Sequence, residues 1–132
     1  MTQYMLDTNT VSHLLKGHPL VAARILAVPM ASLCISAITK GELLFGLAKR
    51  PEAKRLHLSV TEFLRRVDVL SWDGAVAEEY GAVRAGLERQ GKTLGALDLQ
   101  IAAHALSAKA VLVSNDRAFS QVAQLHLEDW TQ

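Results

Sequence analysis

Residues 1–15, MTQYMLDTNTVSHLL, decide the fold. A short apolar run, Tyr4-Met5-Leu6, ends at Asp7 and passes at once into a segment with apolar residues at Val11, Leu14 and Leu15, the spacing of one helix face. Read as a buried strand running into a helix, the stretch puts Asp7 at the strand's carboxyl end. That is where open α/β sheets place their ligand crevices, because the loops diverge there. Three further acids, Glu42, Asp98 and Asp116, also stand at the openings of predicted helices. A single acid in that position has an ordinary use, capping free backbone N–H groups or meeting the positive end of the helix dipole. Four of them lining one crevice would demand a hard cation.

Outward from this stretch the pattern repeats. Gly17 closes the first helix, Pro19 opens a second one to Val28, and Ser32 to Ser36 is a short strand candidate. Thr39 to Arg50 reads as a helix beginning with a capping box, in which the Thr39 hydroxyl and the Glu42 carboxylate would satisfy each other's end of the first turn. Pro51 is expected to start an amphipathic helix carrying Leu56, Val60, Phe63 and Leu64, followed by a strand over Val67 to Trp72. Asp73 then opens a helix to about Gln90, and nothing in its spacing separates it from the other four acids. After a loop over 91–95, Asp98 lies in the first turn of a strongly helical segment. Ala110 to Ser114 is the clearest buried strand, ending at Asn115-Asp116 before a short helix with Phe119 and Val122, and a last strand is predicted over Leu125 to Leu127. Short strands alternating with amphipathic helices predict a three-layer α/β/α sandwich around a mainly parallel sheet.

A chain of 132 residues, half of them apolar, is expected to form a single domain over residues 1–132. No apolar run approaches the ~20 residues needed to span a bilayer and no secretory leader is present, so a cytoplasmic protein without membrane attachment is expected. Cys34, the one cysteine, sits among apolar neighbours and reads as a small buried hydrophobe. The net charge of +1 does not by itself mark a nucleic-acid binder. The five histidines are scattered without zinc-ligand spacing, and His104 reads as a packed helix residue. Oxygen-rich carboxylate sites suit magnesium or manganese, which hydrolyse phosphodiesters by activating water and offsetting phosphate charge.

Five stretches taken together, MLDTNTVSHLL, ISAITKGELLFG, LDLQIAAHAL, LVSNDRAF and LHLEDW, resemble the PIN-domain ribonuclease toxins of the VapC type, in order from Tyr4 to Trp130. The resemblance implies a five-stranded parallel sheet, a carboxylate cluster binding Mg2+ or Mn2+, and endoribonuclease activity in a toxin-antitoxin module. Carried over residue by residue, Asp7 and Asp98 would be the principal metal ligands, and Glu42 would bind metal directly or through water. Asp116 would be a fourth carboxylate or a group that orients water, and Thr8, Asn9 and Ser114 would support the acids through hydrogen bonds. Asp73 matches no catalytic position and becomes a helix cap. The resemblance further implies a transfer RNA substrate, the initiator species in particular, a homodimer, and a VapB-type antitoxin for which the helix over Pro51 to Arg66 would supply a groove.

Two other classes are weighed against this. A haloacid-dehalogenase-like phosphoryl-transfer protein would need DxDxT, and Asn9 stands where its second acid belongs. A non-catalytic PIN-fold binding module would have no use for four retained acids.

Overall fold

The computed structural model describes residues 1–132. The first strand, β1 (Tyr4–Leu6), leads into α1 (Thr8–Leu15) and α2 (Pro19–Ala27), and a 3-10 turn over Met30–Ser32 brings the chain back to β2 (Leu33–Ser36). Next come α3 (Ala37–Ala48), α4 (Lys54–Arg66) and β3 (Asp68–Leu70). The helices α5 (Gly74–Arg89) and α6 (Ala96–Ser107), β4 (Val111–Val113), a 3-10 turn over Arg117–Gln121 and β5 (Leu127–Glu128) complete the order.

The five strands form one sheet in the order β3-β2-β1-β4-β5, and every neighbouring pair is parallel. Residues alternate strictly between its two faces, as a period of two requires. Met5, Cys34 and Leu112 point into a core closed by α5, α6 and Phe119. Leu6, Leu33, Ile35 and Val113 point the other way, into a core closed by α1 to α4 and sealed by Trp130. Both faces are covered, which is why the strands read as continuous apolar runs. The α/β/α sandwich and its five-stranded parallel sheet are as expected. No helix is long and apolar enough to cross a membrane.

Three local expectations are corrected. The capping box at Thr39 and Glu42 does not form, because β2 hands over to α3 without a loop and Ser36, its last residue, takes the cap by accepting from Ile38 N at 3.1 Å. Pro51 lies in a turn, and α4 begins at Lys54 behind Ala53, which has no side chain able to cap. The last strand is Leu127–Glu128 rather than Leu125 to Leu127, since pairing with Leu112 and Val113 fixes its register.

Candidate active site

The chain runs from β1 outward to β2 and β3, then crosses back to β4 on the other side of β1. The carboxyl ends of β1 and β4 therefore flank the reversal in strand order, where open α/β sheets leave a crevice. Asp7 stands there. Its backbone N donates to Val113 O at 3.1 Å, and its Oδ1 accepts from Thr10 N at 2.8 Å, so it both extends the β1–β4 ladder and caps α1. Only 4% of the residue is exposed. Burial pushes the Asp7 carboxyl above its usual range, while hydrogen bonds from Ser114 and Thr10 pull in the opposite direction. Thr10 also donates its hydroxyl to Val113 O at 2.9 Å, clamping the start of α1 to β4.

Glu42 reaches the same crevice from the second turn of α3. With the cap supplied by Ser36, its carboxylate is free to face α1, where the Thr8 hydroxyl donates to Oε1 at 2.5 Å. Thr39, fully buried one turn earlier, lies 3.4 Å from the same hydroxyl.

Asp98 occupies the first turn of α6 and folds back over Gly95, where an added Cβ would lie 3.7 Å from its Oδ2. Burial raises its carboxyl above the ordinary value, and the charges of Asp116, Asp7 and Glu42 raise it further. Asp98 therefore sits in the field of the other three acids. Asp116 enters from the end of β4: its backbone N donates to Ser114 Oγ at 3.0 Å, and its Oδ1 caps the following turn at Ala118 N, 2.9 Å away. Ser114 thus links Asp116 to Asp7.

Asn9, on the first turn of α1 beside Thr8, is exposed. Asp73 caps α5 through Val76 N at 3.2 Å and lies near His104, away from the cluster. Thr10 was not singled out from sequence, and Thr39 was read there only as a helix cap. The spacing Asp7-x-x-Thr10, which is that of an N-cap and its third helical residue, was a usable signal for the first.

None of the chain's ion pairs involves any of the four acids. No cationic side chain pairs with them, and the donors are hard carboxylate oxygens that fit a magnesium- or manganese-class cation. No three of these side chains close into a ready cage, each having turned to a nearby donor or to the crevice.

The PIN domain family model matches residues 4–125. The tRNA(fMet)-specific endonuclease VapC of Shigella flexneri is 36% identical over 132 residues, covering 99% of this chain and 100% of that protein. Ribonuclease VapC2 of Haemophilus influenzae is 37% identical over 131 residues, 98% of this chain and 99% of that one. The crystal structure of DNA-bound VapBC from Salmonella typhimurium superposes with a TM-score of 0.91 at 36% identity, over 98% of this chain and 99% of that one. With Asp7, Glu42, Asp98 and Asp116 gathered at the reversal of a five-stranded parallel sheet, and likeness running over almost the whole length, the chain belongs to the PIN-domain family, among the VapC-type ribonuclease toxins of toxin-antitoxin systems.

Proposed function

We propose that this ribonuclease cuts transfer RNA with the help of a divalent cation, magnesium or manganese, held by Asp7, Asp98, Glu42 and Asp116, and that residues 1–132 act as one domain. The observation that carries the reading is Asp98, whose carboxyl is pressed by three other carboxylates with no cation of the protein paired to any of them. When bound, such a cation lowers the pKa of a water and offsets the charge of the phosphodiester. The residues do the rest. Thr10 N and Ser114 fix Asp7, Thr8 fixes Glu42, and Ser114 holds the backbone of Asp116, so three of the four acids are oriented before substrate arrives. Water as the nucleophile leaves a 5′-phosphate and a 3′-hydroxyl, without use of the 2′-hydroxyl. A 2′,3′-cyclic phosphate at the product end would overturn that mechanism.

Transfer RNA as substrate is supported by the name of the Shigella flexneri relative, which acts on tRNA(fMet). A VapB-type antitoxin as partner is supported by the VapBC complexes among the solved relatives and by two apolar clefts that α4 lines. A homodimer belongs to the same reading.

The test is cleavage of purified total transfer RNA by the chain and by Asp7→Asn, with magnesium or manganese and with EDTA. An asparagine still caps α1, so the variant keeps its fold. We expect metal-dependent cutting at a discrete position, reduced at least about a hundredfold in the variant, as for loss of a principal electrostatic group. No cutting by folded, antitoxin-free protein would favour the non-catalytic binding module instead.

A further inference from the structure

A hollow of ≈ 270 Å³ lies between the C-terminal half of α5 and the 91–95 loop that feeds α6. Its floor is Leu87, Leu94 and Leu99, and its walls carry Tyr80, Arg84 and Lys92 together with one acid, Glu88. The loop is well held. Gly91 takes the left-handed conformation at φ +68, Lys92 N donates to Leu87 O at 2.9 Å, and Gln121 Nε2 donates to Thr93 O at 2.9 Å. Tyr80 is braced by an edge-on contact with Trp72, centroids 5.8 Å apart, and Trp72 is itself pinned to Gln100 O at 3.1 Å.

Two facts tie this hollow to the carboxylate cluster. Leu94 and Ala96, which line it, are the neighbours of Gly95, over which Asp98 folds. The cluster also repels phosphate, so an RNA strand drawn across it needs cations beside the acids. Arg84 and Lys92 are exposed there. Arg84 Nη1 donates to the Tyr80 hydroxyl at 3.0 Å, which joins a cation and an aromatic ring into one unit. Its other neighbour, Glu88, is 3.7 Å away in an exposed pair of the kind that gives way readily to a stronger anion. The groove on the opposite flank, past Glu42, has Lys16 as its one basic side chain and no aromatic face.

We propose that the hollow is an RNA subsite, resting on the ribonuclease reading above, that receives one nucleotide of the strand beside the cut phosphodiester. The base lies against Tyr80 and the leucine floor, and the phosphate meets Arg84 and Lys92. Stacking of this sort tolerates any base, so the subsite supplies affinity and register and does not read sequence.

The test uses an initiator transfer RNA transcript and the full chain, with Arg84→Gln, Lys92→Gln, Arg84→Lys and Tyr80→Leu. Cleavage kinetics with manganese are paired with binding of the same RNA in EDTA across a salt series. Each glutamine variant should keep kcat, raise KM about tenfold, and lower the slope of log affinity against log salt by about 0.7 for each phosphate no longer neutralised. Arg84→Lys should keep the slope, and Tyr80→Leu should weaken binding without changing it. Unchanged KM and slope in both glutamine variants, while the parent chain cuts the transcript, would overturn the subsite and leave the ribonuclease reading intact. A fall in kcat at constant KM would overturn it too, since a binding subsite acts before the chemical step. A parent chain that neither cuts nor binds the RNA would overturn both.

Discussion

At Asp98 every influence acts in one direction. Burial, Asp116, Asp7 and Glu42 all raise its carboxyl, so the folded protein binds this proton more tightly than the unfolded chain does. By linkage the ionised group costs stability at neutral pH, and the cost grows as pH rises through the folded value. Asp98→Asn removes that charge, and in EDTA we expect its melting temperature to rise, by an amount kept small because the carboxyl is partly exposed and screened by water. Magnesium should narrow or reverse the difference. A lower melting temperature for the variant in EDTA would show that Asp98 serves α6 chiefly as a favourable charge at its N-terminus. His104 works on the opposite sign. It is 2% exposed, and burial holds its pKa below 6.5 against a smaller upward pull from Asp73. Its Nδ1 lies 2.8 Å from the Ser36 hydroxyl, which also accepts from Ile38 N, so the buried ring has a polar partner that suits its neutral form. The stability this neutral ring gives is present above 6.5 and is lost as pH falls toward the folded value. Melting curves between neutral and mildly acidic pH should therefore fall more steeply for the parent than for His104→Asn, and parallel curves would refute the assignment.

Among the elements, the turn from α6 to β4 stores avoidable strain. Lys109 adopts φ 55, a left-handed conformation that costs a side chain with a Cβ roughly 1–2 kcal/mol. Its N–H bonds to Leu106 O at 3.1 Å, and Ala110 N closes the helix on Ala105 O at 2.9 Å, so the geometry is set by the end of α6 and not by the lysine. Lys109→Gly should raise the melting temperature by about 2–4 °C. No rise on thermal denaturation would mean that glycine's extra freedom in the unfolded chain cancels the relief. The same scale shows what sequence could and could not reveal. The strand-to-helix passage at Asp7 and the loop-to-helix passage at Asp98 were legible, because an acid interrupts an apolar pattern at each. The start of α3 was not: Thr39-x-x-Glu42 satisfies the local chemistry of a capping box, and only the direct junction with β2 gives the cap to Ser36. Asp73 looked equivalent to the site acids in its local spacing. What separates it is a neighbour distant in sequence, His104, far along α6 from Asp98.

For the molecule as a whole, alternation of strand and helix predicted the layers, but not which strand would lie next to which. The order is a tertiary outcome, and it puts the first strand at the centre between β2 and β4. Thr10 Oγ1 and its acceptor Val113 O are 103 residues apart in sequence. Asp7 shares its field with Asp116, which follows β4. Pairings so distant carry a loop-closure cost that must be met before they repay it, and parallel sheets form slowly for that reason. A chain emerging from the ribosome can pair β1 with β2 early, yet it cannot bring Asp116 beside Asp7 until β4 has been made. The cutting centre is therefore among the last parts to be assembled, and a nascent chain stays harmless to the RNA around it for most of its synthesis.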